Sequence, residues 1–336
     1  MKPTLFLLGP SDIERQNWTN IESHEPGRVK GTAQWAGVLP IAPFVMADET
    51  LRARSTFALV GIQTIQLPEN TRMNLFNMVG DADASVEMLK NIQKIESELK
   101  PLRCFNRPGE VFKTSREILP ETLSNIPGCR VPRMKASDPK SFSELETACE
   151  EFDTWPLIIR AKGYHGGEHM TLLADRSQLK AIKDSPWLYD GIFLMEFVDY
   201  RNEEKLYEKT RVILVDGIPY LRHSIISDRW SIHAENRADL MDHNIELCRQ
   251  EERSLAYLRD TGLKEYGAVF SAIYDRVGLD IFGIDFALVD SQLVVFEANA
   301  CMNFLSQDYG NDGRYRYLEG YIKALKRAVK KMLMRA

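Results

Sequence analysis

The stretch that most constrains this chain is LDIFGIDFALVDSQLVVFEANA, residues 279–300. Two runs rich in β-branched and aromatic residues flank a polar break, the signature of a β-hairpin. Period-two alternation puts Phe282, Ile284, Phe286 and Leu288 on one face, with Val294, Phe296 and Ala298 as their partners. Asp285, Glu297 and Asn299 fall on the other face. For the bulky sets to share a face, the loop must hold an odd number of residues. A three-residue loop, Asp290 to Gln292, then sets Asp285 directly across from Glu297. Opposed Cβ atoms lie about 4.5–5.5 Å apart, and two carboxylates that close repel unless a cation sits between them. Asn299 offers an amide oxygen one strand repeat further. Hard oxygen donors of this kind suit Mg²⁺, which keeps waters and completes its shell with phosphate oxygens. A solvated acidic face is the competing explanation, so residues upstream must discriminate.

Upstream, IIRAKGYHGGEHM (158–170) is a strand ending in cations, then a glycine-rich loop. Gly163, Gly166 and Gly167 let backbone N–H groups approach a phosphate, and Arg160 and Lys162 add charge. Neither the P-loop pattern nor the dinucleotide glycine pattern is present. In FLMEFVD (193–199), Glu196 ends an apolar strand before a polar linker whose backbone can face an adenine edge. Lys209 and Arg211 then make a basic strand in LYEKTRVILVDGIPYLRHSII (206–226), with Asp216-Gly217 as its hairpin turn.

The 336 residues suffice for two or three domains. The pattern predicts strands at 4–8 and within 55–67, and a helix from an Asp83 cap to Lys100, stopped by Pro101. A short strand and a helix capped by Thr114 or Ser115 follow in EVFKTSREILPETL (110–123). Ser141 opens a helix to 152 with a Ser-x-x-Glu box. Further helices are predicted at 241–260, 263–278 and 313–335, the last with a basic face. The fold class is α+β with antiparallel sheets, divided as 1–105, 106–200 and 201–336.

Composition excludes other classes. The chain is 44% hydrophobic and 27% charged, with net charge −5 and pI about 5.8. That gives no support to generic nucleic-acid binding. No apolar run approaches the roughly 20 residues of a membrane span, and the apolar run at 4–9 is too short for a signal peptide. The five cysteines are scattered without a CxxC pair, which points to a reducing cytoplasm. A homo-oligomer is left open.

The order of parts carries more than any one of them: cation strand, glycine loop, strand with terminal Glu, basic strand, D…E-x-N hairpin. Over roughly residues 100–335 this resembles the ATP-grasp superfamily, in its glutathione-synthetase-like and ribosomal-protein-glutamate-ligase-like branch. GIDFALVDSQLVVFEANA is the most specific match, followed by EFVDYRNEEKLYEKTRVILVDGIPYLRHS. The N-terminal segment is similar to a pre-ATP-grasp α/β domain. The resemblance implies an ATP-grasp fold of two α+β subdomains clasping ATP, with Asp285, Glu297 and Asn299 as metal ligands. Glu297 would bridge two Mg²⁺, for which Mn²⁺ can substitute. Lys113 matches the basic residue of the first nucleotide-binding segment, with Arg116 as the alternative. Arg160 is aimed at the α- or β-phosphate, and Gly163, His165, Gly166 and Gly167 belong to the phosphate-covering loop. Glu196, Phe197 and Val198 match the adenine linker, and Lys209 belongs to the same nucleotide-binding set. Arg211 matches the basic residue near the γ-phosphate, and Arg222 or Arg276 could also contact an acyl phosphate. Glu203 and Glu204 are the ribose candidates.

The sequence departs from the family at Tyr164 and His165, where small residues are usual, and at Gly283, where some ligases carry Arg. The implied activity is ATP-dependent joining of a carboxylate to an amine through an acyl phosphate, releasing ADP and phosphate. The substrates would be amino acids or peptides. A phosphotransferase or a non-catalytic nucleotide-binding module on the same fold are the alternatives. Nothing in the ligase scheme demands a protein nucleophile, so Cys301 reads as a small buried thiol. His223 and His233 show no metal spacing.

Overall fold

The computed structural model describes residues 2–12, 37–61, 72–164, 167–233, 236–306 and 313–335. The N-terminal sheet comprises β1 (Thr4–Leu8), β2 (Ser55–Leu59), β3 (Asn74–Asn77) and β4 (Cys104–Phe105) in the order β2-β1-β3-β4. All its pairings are parallel, unlike the antiparallel sheets expected for the chain as a whole. The covering helix α1 (Val86–Leu99) starts later than predicted, and Asp83 is not its cap. Instead Asp12, on the loop after β1, accepts from the backbone N–H of Glu87 and Met88 at 2.9 and 3.1 Å. The second half of the expected 55–67 strand lies outside the described residues.

β5 (Cys129–Arg130) leads into a second sheet: β6 (Met134–Ser137), β7 (Leu157–Ala161), β8 (Met170–Leu173) and β9 (Ile192–Glu196), ordered β6-β9-β7-β8 and antiparallel. The strand expected in EVFKTSREILPETL does not form. Pro108 instead starts a helical turn, Pro108–Val111, which continues as a 3₁₀ turn to Thr114. Helix α2 (Phe142–Phe152), capped by Ser141 as predicted, packs Leu145, Cys149 and Phe152 on Leu157, Ile159 and Leu194. Alternation therefore leaves Ile158 and Arg160 on the opposite face of β7.

The third sheet joins β10 (Tyr207–Val215), β11 (Ile218–Ser227), β12 (Ile281–Val289) and β13 (Gln292–Asn299) in the order β11-β10-β12-β13-β5. Its outer face buries Val212, Ile284, Phe286 and Val295 against helices α3 (Ile245–Tyr257) and α4 (Gly267–Val277). Its inner face is divided. Ile213, Val215 and Ile281 pack under Phe6, Phe76 and Phe105 of the N-terminal sheet and under the final helix α5 (Glu319–Met334). The remaining half is polar and forms the floor of a cleft roofed by β7 and β9. Together the three sheets make the α+β architecture expected from the sequence.

Both hairpins depart from simple alternation at the level of the cleft. The β12–β13 loop is a two-residue turn, Asp290-Ser291, with both residues at positive φ (48° and 61°), as a type I′ turn requires. Val289 pairs with Gln292, so the expected three-residue loop is wrong. Even so, Asp285 pairs with Glu297, because the register shifts between Asp285 and Phe286 and makes Phe296 the extra residue of a bulge. Phe296 therefore leaves the apolar face and lines the cleft. On β11 the register shifts in the same way, and Arg222 is the extra residue.

Candidate functional site

The two bulges align one row of side chains across the inner face: His223, Arg211, Asp285 and Glu297, on β11, β10, β12 and β13 in turn. Adjacent strands lie about 4.8 Å apart, so two bases and then two acids follow one another across the sheet, with Arg211 and Asp285 meeting at the centre. Arg211 holds Asp285 through two hydrogen bonds, Nε–Oδ1 at 2.7 Å and Nη2–Oδ2 at 2.9 Å. Lys209 Nζ lies 3.4 Å from Asp285 Oδ2. Glu297 accepts from Arg116 Nη2 at 3.0 Å, and Arg116 Nη1 donates to Asp83 at 2.8 Å. Burial opposes ionisation of both acids, but these cations outweigh it. Arg211 and Lys209 hold the Asp285 carboxyl well below its usual range, and Arg116 lowers that of Glu297.

Above the row is a cavity of about 290 Å³ walled by both sheets. One end carries Arg116, Arg160, Lys209 and Arg211 with the two carboxylates. The other is apolar and aromatic, with Met134, Ile158, Phe197, Tyr200, Trp230 and Phe296. Tyr200 and Phe296 stack with centroids 4.8 Å apart, and Phe197 meets Trp230 edge-on at 6.1 Å. Arg160 is pushed down to about 10 by burial and by the neighbouring Arg116. Two crowded guanidiniums in a cavity form a site that an anion would relieve.

Of the residues singled out from the sequence, Arg160, Glu196, Phe197, Val198, Lys209, Arg211, Asp285 and Glu297 all line this cleft. Glu196 turns its carboxylate to Arg130 at 2.6 Å and to the Arg133 backbone N–H at 3.0 Å. Asn299 sits beside Glu297, to which its amide Nδ2 donates at 3.3 Å, while its oxygen accepts from the Cys301 backbone N–H at 2.7 Å. The Asn299 oxygen is thus turned toward Cys301. Burial, with Asp81 and Glu297 nearby, pushes the Cys301 thiol up, so it stays protonated. Gly163 and Gly167 have φ of +77° and +82°, which glycine alone adopts freely. The Arg160 guanidinium is tied to the Tyr164 carbonyl at 2.7 Å. His165 and Gly166 lie outside the described residues.

Two candidates are placed away from the cleft. Lys113 pairs with Glu110, and Arg116 takes the position beside the acids. Arg222 is buried, with its guanidinium on the carbonyls of Phe304 and Ser306 at 3.0 Å each. Glu203, Glu204 and Arg276 are exposed and do not line the cavity. Sequence patterns gave no sign of Asp83, Tyr200 or Trp230 as parts of this region. His223 comes level with Arg211 only through the bulge, which alternation cannot show. Desolvation first, and then Arg211, Arg222, Arg237 and Lys209, hold its half-buried ring well below the ordinary histidine value.

The donors fit a hard divalent ion. Among the described residues no group of three or more His, Cys, Asp or Glu that could hold a metal ion converges. Two carboxylates, with the Asn299 amide if its oxygen turned from Cys301, would leave at least half of an octahedral shell to water and phosphate, the arrangement Mg²⁺ favours.

The sequence matches no family model and no curated protein. The structure superposes on the RimK-domain ATP-grasp protein of Sphaerobacter thermophilus at TM-score 0.47 and 13% identity, covering 96% of this chain and 99% of that one. It also superposes on the ATP-grasp ligase PsnB complexed with a minimal precursor, at 0.48 and 14%, covering 99% of each chain. D-alanyl-alanine synthetase A of Vibrio cholerae gives 0.48 and 11%, again covering 99% of each. Overlaps of this size assign neither substrate nor reaction. Solved proteins along which this chain lies almost end to end include an ATP-grasp domain protein, an ATP-grasp ligase and a D-alanyl-alanine synthetase.

Proposed function

We propose that this protein is an ATP-dependent carboxylate–amine ligase that activates a carboxylate as an acyl phosphate. The observation that carries the reading is the polarity of one cleft. Its aromatic end suits a purine, and its other end sets four cations around two paired, ionised carboxylates.

In this reading Phe197 and Val198 hold the base, with Trp230 and Phe296 closing over it. Arg160 and Lys209 take phosphate oxygens, relieving the crowding of Arg160 against Arg116. Arg211 is fixed by Asp285 at the row's centre, where charge develops on the transferred phosphoryl group. Asp285 and Glu297 would hold Mg²⁺, joined by Asn299 once its amide turns from Cys301. The ion supplies Lewis-acid neutralisation of phosphate charge. In this reading Gly163 and Gly167 belong to the phosphate-covering loop that would exclude water, which would otherwise hydrolyse the activated carboxylate. Amino acids or peptides supply carboxylate and amine.

A phosphate-release screen of amino acids and short peptides, singly and in pairs, with ATP and Mg²⁺ tests this. Release that needs two substrates together, with an amide product, is expected. ADP formed with one substrate and a stable phosphorylated product would identify a phosphotransferase instead.

A further inference from the structure

Arg116 is shared between two acids from different parts of the fold. Its side chain is 12% exposed, and its two terminal nitrogens reach Glu297 and Asp83 at 3.0 and 2.8 Å. Asp83 belongs to the N-terminal domain, on the loop between β3 and α1. That loop is built to hold one shape. Asp81 Oδ1 accepts from the backbone N–H of Asp83 and Ala84, both at 2.9 Å. Gly80 lies directly on the end of the β13 segment, where a Cβ would stand 2.6 Å from the Ala300 carbonyl carbon and 2.7 Å from the Cys301 nitrogen. The loop is therefore seated against the end of the same strand that presents Glu297, and Asp83 meets Arg116 without itself lining the cavity.

We propose that Asp83 is a positioning residue for the nucleotide site, holding Arg116 toward the phosphates when Glu297 is engaged by a divalent ion. This rests on the nucleotide-binding reading above and extends it. Without Asp83, an Arg116 released by Glu297 keeps the Phe193 ring, 6.0 Å from its guanidinium carbon, but neither of the carboxylates that fix its terminal nitrogens, and it can adopt other rotamers. With Asp83, one guanidinium edge stays fixed while the other is handed from carboxylate to phosphate. The N-terminal domain thereby contributes to phosphate recognition without touching the nucleotide.

The test is a double-mutant cycle on the full chain with Asp83→Asn, Arg116→Ala and the double variant. The affinities of Mg·ADP and of Mg·β,γ-imido-ATP are read by calorimetry. Asp83→Asn should weaken binding of the imido analogue roughly tenfold, and Arg116→Ala by at least as much, as for loss of one charged hydrogen bond. The double variant should match Arg116→Ala, since Asp83 acts only through that residue. Asp83→Glu, which keeps the charge, should lose less than Asp83→Asn and serves in its place if Asn does not fold. Wild-type affinity in Asp83→Asn, or a loss that adds in full to that of Arg116→Ala, overturns the assignment. If the wild-type protein binds neither nucleotide, the nucleotide reading itself falls and takes this assignment with it.

Discussion

Arg211 and Asp285 stand opposite each other on neighbouring strands and are joined by two hydrogen bonds of 2.7 and 2.9 Å. Both are largely buried, so each is the other's main compensation for lost hydration. Arg211→Met would leave Asp285 with Lys209 alone, at 3.4 Å. Removing one partner of a buried pair costs roughly 3–5 kcal/mol, and Lys209 should hold the loss near the lower figure. Urea unfolding measures it, and the Arg211→Met/Asp285→Asn double variant should recover part of the loss. A single-variant loss no larger than that of an exposed ion pair would show the pair to be solvated.

The histidines set the stability profile on the acid side of neutrality. His233 is lowered to about 4, chiefly by burial and then by Lys209 and Arg160. His223 is lowered well below its ordinary value too, by burial first and then by Arg211, Arg222, Arg237 and Lys209. A histidine whose folded pKa is depressed stabilises the fold fully above its ordinary value near 6.5, and that contribution is lost as pH falls toward the folded value. Asp285 and Glu297, also depressed, add a second loss below the ordinary carboxylate range. Melting temperature should therefore fall between about pH 6.5 and 4. The fall should be smaller in the His223→Gln/His233→Gln variant. An equal fall in both proteins would remove these histidines as its cause.

Gly80 offers a test of how its loop is seated on the end of β13 that changes no charge. Gly80→Ala drives a methyl into the backbone of Ala300 and Cys301, which cannot swing aside as a flexible side chain can. Overpacking of this kind typically costs 1–3 kcal/mol, about that much being expected here. Denaturant titration reads it, and an unchanged midpoint would mean the two segments are less tightly seated than described.

Much of this site could be read from the sequence. The opposition of Asp285 and Glu297 was legible because only one hairpin parity puts Phe282, Ile284 and Phe286 on the same face as Val294, Phe296 and Ala298. The route to it was not. The chain uses a two-residue turn and restores the parity with a bulge at Phe296. Alternation patterns cannot show a bulge, so Phe296 was assigned to the wrong face and His223 was not placed level with Arg211. The cap of α1 was missed for a related reason: Asp12 reaches it across the fold, and local patterns report only local partners. Asp83 lies too far from Arg116 in sequence for spacing to join them. The helix start at Pro108 shows the reverse case, where a local proline rule outweighed an apolar pair suggesting a strand.

Arg160 probes the phosphate end by itself. Arg160→Ala removes one cation from the crowded pair and frees the Tyr164 carbonyl. A hydrogen bond to a charged group is worth about 1.5–3 kcal/mol, so Mg·ATP affinity should fall roughly 10- to 100-fold. Equilibrium binding of a fluorescent nucleotide measures it. Unchanged affinity would place the phosphates elsewhere.

The central claim is that Asp285 and Glu297 hold a divalent ion that grips a nucleotide. Calorimetric titration of ADP with and without Mg²⁺, in the wild-type protein and in Glu297→Gln, tests it most directly. The account predicts tight binding only in wild type with Mg²⁺, and a folded Glu297→Gln protein that has lost the Mg²⁺-dependent part. ADP binding that is indifferent to Mg²⁺, or equal in both proteins, would contradict it.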